Sequence, residues 1–323
     1  MKEIKIIKNR SDIGAGTRGA DMGIDAVEIA AINAGSDFFN QFDYVDIETE
    51  NDSIYQKNIT PYAKRINKVY SVSYRLSEAV KVMLKEQNFP LVLSGDHSSA
   101  LGTIAGIKTA FPDKRIGVVW IDAHADIHSP YTSPSGNIHG MPLAVCLNED
   151  NLDCQVNQIT NETKTNWEAL KKMGDISPKI LHSDLVYFGV RDTEEPEDYL
   201  IKKHNIKNYT VAEVRYRGLD VCVKETIEKL ANCDMIYISF DVDSMDCDLI
   251  SKGTGTPVSK GFDQFEIIDI INGLIQSNKV VCVEAVEVNP TLDNKGNAMA
   301  EACFEVLNAI TSQIKNSLNS LPV

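Results

Sequence analysis

The segment IGVVWIDAHAD (residues 116–126) joins an uncharged, largely apolar run directly to a cluster of aspartates and a histidine. Apolar runs rich in β-branched residues predict further strands over Lys2–Ile7, Pro90–Leu93, Leu185–Val190, Met235–Phe240 and Val280–Val288, besides Ile116–Ile121. Strands that are apolar throughout are typical of a parallel sheet that is buried on both faces. The sequence therefore predicts an α/β protein with a mainly parallel central sheet.

Stretches of helical period separate these strands. They predict helices over Ile24–Ala34, Leu76–Glu86, Ala100–Ala110, Val223–Ala231 and Phe265–Ser277, and a last amphipathic helix over Ala298–Leu318. The polar stretch Asn148–Lys164 is interpreted as a loop or insertion, because it lacks a periodic apolar pattern. We find no internal repeat and no domain boundary, and we expect one domain over residues 1–323.

Composition excludes several classes of protein. The 323 residues include 32 Lys+Arg and 46 Asp+Glu, giving a net charge of −14, which argues against nucleic-acid and anionic-membrane partners. No apolar run approaches the ~18 residues of a membrane span, and residues 1–10 do not resemble a secretory signal. The seven cysteines form no CxxC pair, so we expect reduced thiols and a cytoplasmic protein rather than a disulfide framework or zinc finger.

Candidate metal ligands follow three predicted strands. SGDH (94–97), DAHAD (122–126) and DVD (241–243) each come directly after an apolar run, where ligands bind in α/β sheets. Four of the six histidines lie between residues 97 and 139, whereas His182 and His204 have no carboxylate-rich context along the chain. The predicted ligands are His97, Asp122, His124, Asp126, Asp241 and Asp243.

This ligand set suits a pair of divalent cations. In an extended segment Asp122, His124 and Asp126 would project on one face, and the four aspartates would balance two divalent charges. Mostly oxygen ligands with some imidazole favour Mn²⁺, and two such ions bridged by a water supply hydroxide at neutral pH. Any one cluster alone could equally be a helix-capping aspartate beside a core histidine, but the three together favour metal-dependent hydrolysis.

At these residues the chain resembles the arginase branch of the ureohydrolase family. The similar segments are, in chain order, GAGTRGADMG (14–23), SGDHSSALGT (94–103), WIDAHADIHSP (120–130), SGNIHGMPLA (135–144), YFGVRDTEEPE (187–197), SFDVDSMD (239–246), GTGTP (253–257) and VEVNPTLD (286–293). They span nearly the whole chain in the family's order.

The resemblance implies a three-layer α/β/α fold, two Mn²⁺ ions, and hydrolysis of L-arginine to L-ornithine and urea by a metal-bridging hydroxide. One ion would be held by His97, Asp122, Asp126 and Asp241, and the other by His124, Asp122, Asp241 and Asp243. Asp122 and Asp241 would bridge the two. The resemblance also implies a homo-oligomer, either a trimer or a hexamer.

Substrate residues are assigned on the same resemblance. Glu287 would pair with the guanidinium group, His139 would shuttle a proton, and the metal ligand Asp126 completes the predicted catalytic residues. The remaining predicted substrate contacts are His128, Ser135 and Asn137 at the α-carboxylate, Asp192, Glu194 and Glu197 around the α-amino group, and Thr256 near the guanidinium. Alternatively, Glu287 could be a surface acid, His139 could shape the Gly136–Gly140 turn, and the others could be solvated loop residues.

The chain departs from the family pattern at five places. His128 stands where many arginases have Asn, Ser94 replaces the first Gly of GGDHS, and Cys247 replaces the Pro of DxxDP. The Asp243–Thr256 loop is one residue longer than usual, and Ser259-Lys260-Gly261 replaces a VxGG-like run. None of these removes a predicted metal ligand.

Other functions remain open. Agmatinase and formimidoylglutamase share the metal site, although the SGNIHGMP and RDTEEPE segments offer partners for both an α-carboxylate and an α-ammonium group, and agmatine has no carboxylate. A weakly active family member acting as a binding or scaffold protein would have lost ligands, and none is lost here. A two-metal phosphatase would need a phosphate-binding Gly-rich loop or basic cluster, which the sequence lacks.

Overall fold

Eight parallel strands form one sheet in the computed structural model, which describes residues 3–320. The strands are β1 (Ile4–Asn9), β2 (Tyr44–Asp46), β3 (Phe89–Ser94), β4 (Ile116–Ile121), β5 (Leu185–Phe188), β6 (Lys207–Tyr209), β7 (Met235–Asp241) and β8 (Val280–Val286). Their order is β2-β1-β3-β8-β7-β4-β5-β6, and every pairing is parallel. The predicted parallel sheet is confirmed.

Helices cover both faces of this sheet. They are α1 (Gly23–Asn33), α2 (Ile66–Lys85), α3 (Ala100–Ala110), α4 (Pro142–Leu147), α5 (Asn161–Lys171), α6 (Glu195–Lys203), α7 (Val211–Arg217), α8 (Leu219–Lys229), α9 (Gln264–Ile275) and α10 (Ala298–Ser320). One apolar core lies beneath α1 and α7–α10, and the other beneath α2–α6. The architecture is therefore the three-layer α/β/α arrangement.

Strand β4 shows why the central strands are apolar throughout. Val119 and Ile121 pack into the core beneath α7–α10, whereas Val118 and Trp120 point to the opposite core. All four side chains are fully buried. Alternate residues of a strand face opposite sides, so a strand with a helix layer on each side has no position left for a solvated side chain.

The structure corrects several predicted boundaries. The first strand is Ile4–Asn9 rather than Lys2–Ile7, with Lys2 outside the described residues. The second helix begins at Ile66, ten residues before the predicted Leu76. The predicted loop Asn148–Lys164 is wrong at its end, because the Thr160 hydroxyl accepts a hydrogen bond from the Thr163 N–H (3.1 Å) and starts α5 at Asn161.

Short elements were not predicted. The edge strands β2 and β6 have three residues each, and β2 is exposed at every position, so neither produces an apolar run. Helices α4–α7 were also missed.

Of the described helices, none has the length and apolar character needed to cross a bilayer. The seven cysteines, all within the described residues, are free.

Candidate metal centre

The four central strands of the sheet, β3, β8, β7 and β4, end side by side at one edge. The turns that follow them carry His97 after β3, Asp122–Asp126 after β4, Asp241–Asp243 at the end of β7 and Glu287 after β8. Because the strands are parallel, segments that are far apart in sequence meet here.

The six predicted ligands converge on two neighbouring positions. His97 Nδ1 lies 3.0 Å from Asp122 Oδ2, 3.0 Å from Asp126 Oδ2 and 3.1 Å from Asp241 Oδ2. His124 Nδ1 lies 3.0 Å from Asp243 Oδ2 and 3.5 Å from Asp122 Oδ1. The ligand atoms form two groups, each close enough together to hold a metal ion: His97–Asp122–Asp126 and Asp122–His124–Asp243. Asp122 belongs to both groups.

In three aspartates, one carboxylate oxygen accepts a backbone N–H and the other faces the centre. Asp122 Oδ1 accepts the His124 N–H (2.7 Å), Asp241 Oδ1 the Asp243 N–H (2.8 Å), and Asp243 Oδ1 the Ala123 N–H (3.1 Å). In each case Oδ2 faces an imidazole of the centre. The alternative interpretation as a helix-capping residue therefore holds for Asp241 Oδ1, which caps the short 3-10 turn Val242–Ser244, while Oδ2 of all three aspartates faces the centre.

The Asp122–Asp126 segment reaches this arrangement by bending, and the predicted extended geometry is wrong. Strand β4 ends at Ile121, the next three residues form a bend, and Asp126 has a positive φ of 48°. A non-glycine residue in the left-handed region is uncommon and is found preferentially at functional sites. The turn brings Asp126 towards His97.

Two buried atoms of the centre have no hydrogen-bond partner. They are His97 Nδ1 and Asp122 Oδ2, which are 3.0 Å apart but not oriented to bond to each other. An unpartnered buried polar atom is costly, and clusters of such atoms are expected where an ion binds. The donor set therefore fits divalent cations.

The protonation of the cluster reflects crowded negative charge. Burial, together with repulsion from Asp122, raises the pKa of Asp126 to about 6. Burial and neighbouring aspartates likewise raise the pKa of Asp241 and Asp243, whereas His124 and His97 lower the pKa of Asp122 despite its burial. Without cations, protons must therefore offset part of this charge.

The His97 ring is fixed from two sides. It stacks on Trp120 with centroids 4.0 Å apart and planes 6° from parallel, and its Nε2 lies 2.7 Å from Ser239 Oγ. Sequence reasoning missed both partners. A signal for Ser239 exists, since it is the single serine in the mostly apolar strand that ends at Asp241.

Arg191 is a second missed residue, and it holds the loop after β7. Its guanidinium donates to the carbonyls of Gly189 (3.0 Å), Asp243 (3.0 Å) and Val258 (2.9 Å). These bonds tie Asp243 and Val258, at the two ends of the loop after β7, to the turn after β5. Arg191 therefore helps to position Asp243.

A cleft of about 270 Å³ opens above the centre. Its lining includes every predicted site residue except Asp122 and Glu287, namely His97, His124, Asp126, His128, Ser135, Asn137, His139, Asp192, Glu194, Glu197, Asp241, Asp243 and Thr256. Asp122 and Glu287 are 0% and 2% exposed and are buried close by.

His139, which is partly exposed to the cleft, forms a pair with the buried Glu287 beside the centre. His139 Nδ1 lies 3.1 Å from Glu287 Oε1, which also accepts the His97 N–H (2.9 Å). Although burial lowers it, Glu287 raises the pKa of His139 to about 9, and the pKa of Glu287 falls below its ordinary value. Glu287 has a positive φ of 69°, and its burial shows that the alternative interpretation as a surface acid is wrong.

Carboxylates and His128 form another part of the cleft wall. His128 Nε2 lies 3.4 Å from Glu194 Oε2 and 3.6 Å from Glu197 Oε2, and its Nδ1 lies 3.0 Å from Thr132 Oγ1. Burial lowers the pKa of His128 to about 4 and raises that of Glu197 to about 8. Glu194 and Glu197 also form the capping box of α6.

The other predicted substrate residues hold the surrounding loops. Thr256 Oγ1 donates to Asp243 Oδ2 (3.0 Å), and Ser135 Oγ accepts the Asn137 N–H (3.2 Å). Asn137 Oδ1 accepts a hydrogen bond from Lys64 Nζ (2.9 Å), a residue that sequence reasoning missed. Asp192, with a side chain 67% exposed, lies 3.6 Å from His124 Nε2.

Ser94, one of the departures from the family pattern, has a defined partner. Its hydroxyl donates to the fully buried carboxylate of Glu284 (2.8 Å), which also accepts from Ser99 (2.5 Å) and Tyr237 (2.7 Å). Cys247, another departure, is buried with its Sγ 3.7 Å from Ser259 Oγ. Both substitutions are accommodated beside an intact centre.

Comparison with known proteins places this geometry among related enzymes. A sequence model described as the Arginase family matches residues 2–312. The chain is 36% identical to the arginase of Bacillus subtilis, covering 96% of this chain and 97% of that protein, and 34% identical to the arginase of Bacillus caldovelox, covering 94% and 96%. The crystal structure of the Bacillus caldovelox arginase is similar with a TM-score of 0.82 at 33% identity, covering 96% of this chain and 98% of that one.

Proposed function

The chain belongs to the arginase family, and we propose that it hydrolyses L-arginine to L-ornithine and urea at a binuclear manganese centre. The observation that carries this proposal is the convergence of His97, His124 and four aspartates at the edge of the sheet. The unpartnered buried atoms of His97 and Asp122 support cation binding at this position.

The ligands divide between two ions. His97, Asp122, Asp126 and Asp241 would hold one, and His124, Asp122, Asp241 and Asp243 the other, as all six side chains lie in the two adjoining groups or contact them. Oxygen ligands with two imidazoles favour manganese over zinc. When bound, such a pair supplies the Lewis acidity that ionises water at neutral pH.

In this proposal His139 gives a proton to the leaving amine. Its Nδ1 is paired with Glu287, and the ring lines the cleft with 19% of its side chain exposed. The raised pKa keeps the imidazole charged at neutral pH, so it is ready to act as a general acid. The Glu287 carboxylate, held beneath it, matches the group that would pair with the substrate guanidinium.

The cleft also offers partners for both ends of an amino acid. Asp192, Glu194 and Glu197 suit an α-ammonium group, directly or through water. Ser135, Asn137 and His128 suit the α-carboxylate, and Lys64 fixes the Asn137 amide oxygen so that its N–H₂ group remains for the substrate. These partners favour L-arginine over agmatine.

Turnover by the metal-loaded protein tests the proposal. Protein reconstituted with Mn²⁺ should release urea from L-arginine at least ten times faster than from agmatine at equal concentration. Faster urea release from agmatine would favour the agmatinase alternative, and turnover of formiminoglutamate alone would favour a formimidoylglutamase. A chain that holds two Mn²⁺ ions and turns over none of these three substrates would support the scaffold alternative and refute the proposal. Parallel reconstitution with Zn²⁺, Co²⁺ and Ni²⁺ tests the preference for manganese.

We also propose a cytoplasmic homo-oligomer. The seven free cysteines suit a reducing compartment, and a trimer or hexamer follows from the family resemblance alone. Light scattering of the purified protein measures the oligomeric state, and a monomer at micromolar concentration would contradict this part.

A further inference from the structure

Glu149, His182 and His204 come from three separate segments and meet away from the cleft. Glu149 follows α4, His182 lies just before β5, and His204 caps the carboxyl end of α6. Because His182 precedes β5, the cluster lies towards the amino ends of the strands, opposite the edge that carries the metal centre. The sequence indicates no carboxylate-rich context for His182 or His204, whereas the fold brings both within 3.6 Å of Glu149.

The three side chains face one another across a small gap. The two imidazole rings stack with centroids 3.6 Å apart and planes 15° from parallel. Each Nε2 lies 3.6 Å from the same atom, Glu149 Oε2. Glu149 Oε1 is already used, since it accepts the Asn151 N–H (2.7 Å). One carboxylate oxygen is thus shared by two imidazole nitrogens.

Neither Nε2 atom has a hydrogen-bond partner, and both are shielded from solvent. Burying an unpartnered polar nitrogen costs free energy. Protonation of both rings does not remove this cost, because two stacked imidazolium ions repel each other. One divalent cation would satisfy both nitrogens and the carboxylate oxygen together.

We propose that Glu149, His182 and His204 form a second, structural binding site for one zinc-class divalent cation. Two imidazoles and a carboxylate are ligands that Zn²⁺ accepts, with water in the remaining position. Ligands about 2.0–2.1 Å from a tetrahedral zinc ion lie roughly 3.3–3.4 Å from one another. The observed 3.6 Å separations therefore need only a small contraction, with rotation of the partly exposed rings out of their stack.

The protonation states also suit a cation. Burial and the neighbouring His182 lower the pKa of His204, which favours the neutral form of its ring. The neighbouring His182 imidazole, 3.6 Å away, is the main cause that lowers the pKa of Glu149 to about 2, so the carboxylate is ionised. Metal binding requires neutral imidazole and ionised carboxylate.

A cation here would join three segments of the fold. Glu149 lies beside Asn151, whose side chain donates to the carbonyl of Pro196 in the first turn of α6 (2.8 Å). His204 lies at the other end of that helix. The site would thus fix α6 to the segment that follows α4 and to the start of β5, and so stabilise the folded chain.

Metal counting on the Mn²⁺-loaded protein tests this site. After dialysis against Zn²⁺, wild type should hold one more metal ion per chain than Glu149→Gln or His204→Asn, as measured by mass spectrometry of total Mn and Zn. Zinc should also raise the thermal unfolding midpoint of wild type by at least about 2 °C more than that of either variant. Glu162→Gln, which removes an exposed carboxylate at the start of α5, is the matched control and should behave as wild type.

Three results would overturn the proposal. Wild type that never holds more than two metal ions per chain refutes it, however the variants fold. Equal metal content in wild type and folded variants also refutes it. If acidification to pH 6 stabilises wild type and zinc does not, the cluster is a proton-dependent ion pair instead of a metal site.

Discussion

Replacing Glu287 by Gln should lower the pKa of His139 from about 9 to 6.5 or below. Burial of the ring lowers this pKa, the Glu287 carboxylate is the main group that raises it, and Asp126 and Asp96 raise it further to a smaller extent. Gln keeps an acceptor for the His97 N–H and for His139 Nδ1, so the substitution removes the charge and preserves the contacts. At 1.36 kcal/mol per pKa unit, the difference between 9 and 6.5 corresponds to roughly 3 kcal/mol.

The sign of the stability change follows from the same pair. His139 has a raised pKa, so its contribution is present below about 6.5 and lost as the pH rises through about 9. Glu287 has a lowered pKa, so its contribution is present above about 4.5 and lost in acid. The variant should therefore be less stable than wild type by roughly 3 kcal/mol at pH 7, and the difference should vanish above about pH 9–10.

Histidine NMR titration of the chelated protein measures this directly, because nearby cations would themselves shift the ring. His139→Asn identifies the resonance among the six histidines. A variant in which His139 titrates within half a unit of wild type would refute the reasoning, since Glu287 could not then be the source of the raised pKa. Urea denaturation of the same samples at pH 7 and pH 10 gives the stability comparison.

Three further outcomes are expected. Asp126→Ala or His97→Ala should bind one metal ion fewer and lose most activity, and metal content and activity equal to wild type would show the ligand assignment to be wrong. His139→Ala should keep both ions but lower kcat by about 10²–10⁴-fold, so an unchanged kcat would exclude it as the general acid. Glu197→Gln in chelated protein should match wild type near pH 4.5 but be more stable at pH 9, by up to about 4–5 kcal/mol, because burial raises the Glu197 pKa to about 8 and ionisation above it costs stability. Parallel unfolding curves across this range would contradict that.

The central part of the fold was predictable because its strands are buried on both faces. Ile116–Ile121 and the runs of β3, β7 and β8 are mostly apolar for that reason, and the ligands lie at or just after their carboxyl ends. The edge strands gave no such pattern, because β2 is exposed throughout and pairs on one side only. The pattern of apolar residues along the sequence therefore predicts the central strands of this sheet better than its edge strands.

Contacts across long separations could not be predicted in the same way. Lys64 reaches Asn137 across 73 residues, and Arg191 reaches Val258 across 67. His204 meets Glu149 with nothing in the sequence near either residue to indicate it. Such pairs depend on how helices and loops pack around the sheet, and a single sequence carries no local record of that packing.

Asp122 and Asp241 each bind a backbone N–H of their own turn with one carboxylate oxygen and face the centre with the other. The turns should therefore keep their shape when the ions leave. The Asp122 and Asp241 oxygens that accept backbone N–H groups are not the ones that face His97. Chelation should therefore remove the ions without disturbing the turns that carry the ligands, and the ions should bind again without refolding of those turns. Asparagine in place of Asp122 or Asp241 would retain the carbonyl oxygen that holds the turn but present an N–H₂ group to the cation. Such a variant would therefore lose the ion while keeping the shape of the turn.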